Sequence, residues 1–199
     1  MTLYQHETGG DDEYATHPDL WRPISRSVGG FDLDPCSGAE SERIADTVYT
    51  ADDDGLSQSW EGTVWLNPPF SEKKKWLRKA INEHSAGRAD LIVVLLPVDT
   101  STKWFQQYFS EADLMCWLEG RDHYVADGSP SFNSVIGVFG SPPEELVETL
   151  GKMGYLTRSA DHEDTRQSLW SDFSAGGTPF ATVADALLNA LRGDSYVGT

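Results

Sequence analysis

The sequence predicts a three-layer α/β fold, a sheet with helices on both faces, and three observations carry that prediction. Short apolar segments bounded by turn residues alternate with segments of helical period, the order a helix-covered sheet requires. One segment, Leu91-Ile92-Val93-Val94-Leu95-Leu96, is continuously apolar, as a strand buried on both faces must be. Two candidate strands stop abruptly in loops of small or rigid residues, at Asp34-Pro35-Cys36-Ser37-Gly38 and at Asn67-Pro68-Pro69-Phe70. In open α/β sheets, ligands bind beyond the carboxyl ends of the strands, so both loops fall where a ligand site belongs.

The elements follow in chain order. Pro18–Ser27 reads as a short helix, and Phe31–Asp34 alternates apolar and polar residues before Pro35, as a strand does. Residues 39–46 read as one short helix and residues 47–50 as a brief strand. Residues 63–66 form a strand stopped by Asn67-Pro68-Pro69. Ser71 opens a helix to about residue 84, with Trp76, Leu77, Ala80 and Ile81 on one face. Pro97 ends the central strand, residues 102–109 read as a helix, and Leu114–Leu118 and Ser134–Phe139 are further strands. Beyond Gly140 the character changes. Ser141-Pro142-Pro143-Glu144 has a capping-box pattern, residues 158–177 are polar and irregular, and Thr178-Pro179 opens an amphipathic helix to about residue 192, with Gly193 as its stop. The expected organisation is a core domain over residues 1–140 and a C-terminal extension, residues 141–199, packed on it.

A chain of 199 residues suits one domain with a sizeable core, and 39% hydrophobic content with β-branched runs excludes a disordered chain. No apolar run has the length of a membrane span. The first residues are polar and acidic, unlike a signal peptide, so the expectation is a cytoplasmic protein. Two cysteines give no disulfide framework, and five scattered histidines give no metal-ligand spacing. The charge is unusual: 32 acidic against 15 basic residues, net −17. Nucleic-acid-binding domains are usually basic. The acidic residues, however, are spread along the whole chain and lysine is scarce, the pattern of a protein adapted to high salt. At molar salt the Debye length is about 3 Å, so an acidic surface does not exclude a DNA substrate.

The chemistry concentrates in Asn67-Pro68-Pro69-Phe70. The proline pair removes backbone donors and fixes backbone angles. A stiff turn then presents the Asn67 side chain and the Pro68 carbonyl as oriented acceptors, with an aromatic ring directly after. Two acceptors suit the two hydrogens of a planar exocyclic amine, and a ring suits stacking of its base. A rigid strand-ending turn beside a core phenylalanine is the plain alternative. The small residues of the Asp34 loop admit close backbone approach to a ligand. Asp52-Asp53-Asp54-Gly55-Leu56 and Trp60 lie between the two loops.

In order and spacing, Phe31-Asp32-Leu33-Asp34-Pro35-Cys36, Asp53-Asp54-Gly55-Leu56, Trp60 and Trp65-Leu66-Asn67-Pro68-Pro69-Phe70 resemble the phage-type, Dam-like DNA N6-adenine methyltransferases. Tyr14-Ala15-Thr16 is similar to that family's N-terminal Tyr-x-Thr-Pro element, with His17 displacing the proline to Pro18. Residues 90–97, the segment with Trp104 and Phe105, and Pro130-Ser131-Phe132-Asn133-Ser134 extend the resemblance over about residues 13–140.

The resemblance implies an S-adenosylmethionine-dependent methyltransferase fold, Rossmann-like, with residues 1–140 as its catalytic domain and a C-terminal helical extension. The fold is trimmed: about 30 residues separate the two loops, the size of one βαβ unit, where a full sheet of this kind places two more strands. It implies S-adenosyl-L-methionine as cofactor, with Asp34, Pro35, Cys36 and Gly38 beneath its methionine part. Tyr14 and Thr16 would close over it, and Asp53 or Asp54 would bond its adenosine. Asn67 and Pro68 would accept hydrogen bonds from the adenine N6 amine while Pro69 stiffens the turn, and Phe70 would stack on a base flipped out of duplex DNA. An amine attacks directly, so Cys36 is assigned to the cofactor loop and not to covalent catalysis. Lys73-Lys74-Lys75 is a basic cluster at the start of the helix, either a phosphate contact or a solvated helix face, with Lys103 and Arg121 as weaker phosphate candidates. The competing readings are an N4-cytosine methyltransferase, an RNA or protein amine methyltransferase, and a non-catalytic DNA-mimicking or binding module of the same fold.

Overall fold

The computed structural model describes residues 14–38, 42–125 and 132–158. The expected helix over residues 178–192 lies outside them. The described elements are α1 (Pro18–Ser27), β1 (Phe31–Asp34), β2 (Ala45–Val48), β3 (Gly62–Leu66), α2 (Lys73–Ser85), β4 (Ala89–Pro97), α3 (Lys103–Gln107), β5 (Leu114–Leu118), β6 (Ser134–Phe139), α4 (Glu144–Gly151) and β7 (Gly154–Arg158).

They build one seven-stranded sheet in the order β2-β1-β3-β4-β6-β5-β7. Its first half is parallel, β2 and β3 flanking β1 and β4 following β3. Its second half is antiparallel, through β4–β6, β6–β5 and β5–β7. The parallel half sends β1, β3 and β4 the same way, so the Asp34 loop, the Asn67 loop and Val98 all emerge at one edge.

The alternation of side chains along each strand assembles two cores. Leu91, Val93 and Leu95 of β4 join Phe31, Trp65, Ile136 and Val138 on the face covered by Leu20, Trp21 and Ile24 of α1 and by Leu146 and Leu150 of α4. Ile92, Val94 and Leu96 join Leu33, Val64 and Leu66 on the face covered by Trp76, Leu77 and Ala80 of α2 and by Trp104 and Phe105 of α3. The uninterrupted apolar run of β4 follows from burial on both sides, and each such side chain contributes roughly 1.5–3 kcal/mol on leaving water. Gly137 of β6 faces the Phe109 ring, which a Cβ there would approach to 2.7 Å, so the close fit requires glycine.

Two sequence expectations need correction. Ala45 and Asp46, read as the end of a helix, belong to β2, which runs from Ala45 and stops at Val48 instead of reaching Thr50. Register explains this: Ala45 pairs with Phe31 and is buried, and Thr47 pairs with Leu33. Strand β7 has no counterpart among the strands the sequence predicts. It is an edge strand with Tyr155 74% exposed, so it has no continuous apolar face to announce it. Its partner β5 supplies the register, from Leu114↔Arg158 to Leu118↔Gly154. Between β1 and β3 the described residues form one strand, β2. No helix among the described residues is long and apolar enough to cross a membrane.

Candidate active site

Asn67 leaves the end of β3 with its side-chain amide already engaged. Its Nδ2 donates to the main-chain oxygen of Tyr14 at 2.6 Å and lies 3.1 Å from the Thr16 hydroxyl. The Oδ1 end therefore points away from both. Pro68 is buried. The Pro69 carbonyl accepts the Glu72 N–H at 3.0 Å and so starts the turn into α2. No backbone hydrogen bond among the described residues ends on the Pro68 carbonyl. The Asn67 Oδ1 and the Pro68 carbonyl are thus the two acceptors of the loop that these bonds leave unused.

Phe70 belongs to a cluster of four rings. Tyr14 stacks on it, with centroids 5.4 Å apart and planes at 22°. Tyr124 and Phe132 meet it edge-on at 5.8 and 5.5 Å. Tyr14 also touches Tyr124 and Phe132, which touch each other. The Phe70 face that Tyr14 covers is closed to a planar ligand in this arrangement. Tyr124 escapes sequence reasoning, and no local signal marks it. Its place follows from a bridge between Thr16 and Tyr124, supported by His17 N–H to the His123 carbonyl at 2.9 Å and Val125 N–H to the Ala15 carbonyl at 2.8 Å.

The Asp34 loop sits at the end of the neighbouring strand. Asp34 is 4% exposed and its Oδ1 accepts the Cys36 N–H at 3.1 Å. Burial raises its carboxyl to about 6, against the lowering effect of bonds from Cys36 and Ser37. Among the described residues no cation pairs with it. The turn around Pro35 and Cys36 is tied to the end of β2 by Tyr49 N–H to the Asp34 carbonyl and Ser37 N–H to the Tyr49 carbonyl, both 2.8 Å. Gly38 is the last described residue of this loop.

The acidic turn comes to the same loop through Gly55. A Cβ on Gly55 would lie 1.9 Å from the Pro35 carbonyl oxygen, so only glycine lets the two segments touch. Trp60 Nε1 donates to the Gly55 carbonyl at 2.8 Å, and its ring stacks on Trp76 of α2. Asp53 uses its carboxylate locally, accepting the Thr50 N–H and hydroxyl at 2.8 and 2.9 Å. These bonds hold its carboxyl below the usual carboxylate range. Asp54 is exposed, in the left-handed region at φ 48°.

The candidate phosphate contacts divide. Lys73 lies over the Trp104 ring at 5.1 Å and Lys74 over the Tyr108 ring at 6.0 Å, so both ammonium groups are carried on aromatic faces at and just after α3. Lys75 is ion-paired with Glu72. Lys103 is exposed. Arg121 Nε donates to Asn133 Oδ1 at 3.2 Å, and both line a cavity of about 300 Å³ with Val98 and Ser134 at the same sheet edge. Cys116 is a core thiol: it donates to the Leu150 carbonyl and burial pushes it up to about 12, far from a thiolate nucleophile. Among the described residues no group of three or more His, Cys, Asp or Glu is disposed to hold a metal.

The fold defines an α/β protein whose Asp34 and Asn67 loops lie at the carboxyl edge of its parallel strands, the edge at which open α/β sheets bind ligands. A model of the DNA N-6-adenine-methyltransferase (Dam) family matches residues 5–134, and the chain belongs to that family. A DNA N-6-adenine-methyltransferase of Escherichia phage T1 is 30% identical over 122 residues, 59% of this chain and 49% of the relative. One of Haemophilus phage HP1 (strain HP1c1) is 36% identical over 89 residues, 44% of this chain and 50% of the relative. The match to each relative spans about half of that relative's length.

Proposed function

We propose that this protein transfers the methyl group of S-adenosyl-L-methionine to the N6 amine of adenine in DNA, on a trimmed Rossmann-like methyltransferase fold. The observation that carries the reading is the Asn67 amide, anchored through Nδ2 so that its acceptor is free to face a substrate. Oδ1 and the Pro68 carbonyl would take the two N6 hydrogens of the adenine. They orient the nitrogen lone pair and stabilise the positive charge that grows on it during transfer. Phe70 would carry the flipped base on its face. Rotation of the Tyr14 ring about its Cα–Cβ bond would open that face while leaving the Tyr14 carbonyl on Asn67.

The Asp34 loop fits the cofactor. A buried carboxylate without a cation among the described residues suits a ligand that bears a positive ammonium and a positive sulfonium. Bound there, S-adenosyl-L-methionine supplies an electrophilic methyl group to an amine nucleophile. Asp34, Pro35, Cys36 and Gly38 would hold it, with Thr16 on the other side. The Asp53–Asp54 turn borders the loop, and with Asp53 engaged by Thr50 the freer adenosine contact is Asp54. Lys73, Lys74 and Arg121 would meet phosphate. We read the net charge of −17 as adaptation to high salt, which predicts a transfer rate that rises toward molar salt.

The test is incubation with methyl-labelled cofactor and unmethylated DNA across a range of salt, followed by digestion to nucleosides. The expected product is N6-methyladenine. Asn67→Ala should lower kcat by about 100-fold or more, the scale of losing one preorganised electrostatic contact, in a protein that still folds. Label in N4-methylcytosine would overturn the base assignment. Absence of label from a folded, cofactor-binding protein would overturn DNA methylation.

A further inference from the structure

An asparagine side chain carries a carbonyl and an amino group in one plane, and a half-turn exchanges them. Only one orientation serves an amine substrate, because the amine's hydrogens need an acceptor. The neighbours of Asn67 decide which orientation holds. The Tyr14 carbonyl has no proton to give, so at 2.6 Å it can only accept, and the group facing it must be Nδ2. The Thr16 hydroxyl stands beside it at 3.1 Å and is only 6% exposed. Both acceptors come from a segment more than 50 residues away in sequence, pinned independently of the catalytic loop. The bridge to Tyr124 and the His17–His123 and Ala15–Val125 bonds hold its backbone. The His17 ring, capping α1 through the Asp19 N–H, ties its far end.

We propose that Thr16, together with the main-chain carbonyl of Tyr14, is a positioning residue that locks the Asn67 amide with Oδ1 toward the substrate amine, and that the Tyr14 carbonyl, which cannot donate, excludes an ionised carboxylate from position 67. The kinetic part of this inference rests on the proposed methyl transfer. In an Asn67→Asp variant the carboxylate would direct an oxygen at the Tyr14 carbonyl, two acceptors at hydrogen-bond distance with no proton between them. Protonation removes the conflict, because the acid O–H then donates to Tyr14 as Nδ2 does now. The neutral form is favoured, and the pKa of the introduced carboxyl rises. Among the described residues, the titratable groups on the segments around the loop include Tyr14, His17, Asp34, Glu72, Lys73, His123 and Tyr124. Burial holds the Tyr124 phenol neutral and disfavours charging of His123, whereas Asp34 titrates near 6 in the parent protein as well.

The experiment compares Thr16→Val, Thr16→Ser and Asn67→Asp with the parent protein at saturating cofactor and DNA, from about pH 5 to about pH 9. Each rate is taken relative to the parent at the same pH, which cancels Asp34. Thr16→Val should lower kcat about ten-fold, the scale of one hydrogen bond. Thr16→Ser should restore it. Asn67→Asp should be inactive at high pH and gain relative activity as pH falls, following one protonation. A second readout needs no catalysis: exchange of the Asn67 side-chain amide protons with water, followed by isotope-edited NMR, should be slow in the parent and faster in Thr16→Val. An Asn67→Asp variant as active as the parent at every pH would overturn the proposal. So would Thr16→Ser no better than Thr16→Val, or amide exchange indifferent to Thr16. A parent protein that makes no N6-methyladenine defeats the proposed function instead, and the exchange measurement still decides the orientation of Asn67.

Discussion

Two buried carboxylates stand at opposite edges of one sheet and live in opposite environments. At the amino edge, Glu83 of α2 is 3% exposed and is met by Lys79 and Arg88, each at 2.5 Å, and by the Trp60 N–H at 3.4 Å. The Arg88 bond, outweighing burial, brings its carboxyl down to about 2. At the carboxyl edge, Asp34 is as deeply buried, has no cation among the described residues, and is raised to about 6. Glu83 closes the end of the sheet where the chain enters β3 and β4, and its charge is fully answered from within the protein. Asp34 carries an electrostatic cost that no cation among the described residues offsets. On the proposed function, the contrast separates a structural charge from one that would serve a ligand.

The largest effect that would break this contrast is at Glu83. Replacing it by glutamine keeps an acceptor but removes the charge between Lys79 and Arg88. The expected loss is about 2 kcal/mol, the range for leaving buried polar partners unsatisfied. That is a fall of several degrees in Tm, with activity per folded molecule retained. The pH dependence has a fixed sign. A depressed carboxyl stabilises the fold above its ordinary pKa of 4.5, and that contribution drains away as pH falls from there toward about 2. The variant should therefore lose its disadvantage in that acid window. A Glu83→Gln protein as stable as the parent at neutral pH would erase the distinction between the two edges.

Asp34→Asn should move the other way, and by less. A raised carboxyl disfavours the folded state once ionised, so this contribution worsens as pH rises from 3.8 through about 6. Asparagine removes that cost. Thermal unfolding at neutral pH should show a gain on the order of 1 kcal/mol, shrinking as pH falls from about 6 toward 3.8, where Asp34 is protonated in the folded protein and then in the unfolded chain. The same change should weaken cofactor binding, so stability and function diverge at one residue. A destabilised Asp34→Asn protein at neutral pH would show that the carboxylate serves the fold and not a ligand.

The sequence is legible where local chemistry decides local structure. The proline pair ending β3, the doubly buried run of β4 and the helix of Pro18–Ser27 are all statements about neighbours in the chain. Asn67 stands out as a candidate acceptor for the same reason. What fixes its amide is not legible, because Tyr14 and Thr16 reach it through a tertiary contact that no periodicity encodes. Tyr124 is hidden likewise, and so is the difference between Asp34 and Glu83: both read as acidic residues, and only the positions of Lys79 and Arg88 separate them. Strand β2 is misplaced in the sequence reading because its alternation is shallow, with Asp46 and Thr47 both exposed. The short edge strand β7 takes its pairing from β5, 40 residues upstream at Trp117–Thr157, where a side-chain bond of 3.0 Å also joins them.

The smallest effect expected separates the three lysines of one cluster, which sequence alone treats as equivalent. Lys73 and Lys74 rest on aromatic rings, which carry their charge without neutralising it, whereas Lys75 is neutralised by Glu72. Each phosphate contact releases counterions and steepens the salt dependence of DNA binding by about one unit of logarithmic slope. Lys73→Ala and Lys74→Ala should each flatten the slope by about 1 and weaken binding to all sequences alike. Lys75→Ala should flatten it by less, because a lysine already paired with Glu72 has little charge left to release counterions from phosphate. Binding titrations over a salt series decide the matter. Equal slopes for all three variants would mean that the aromatic faces of Trp104 and Tyr108 do not aim these charges, and that the basic cluster is a solvated start to α2.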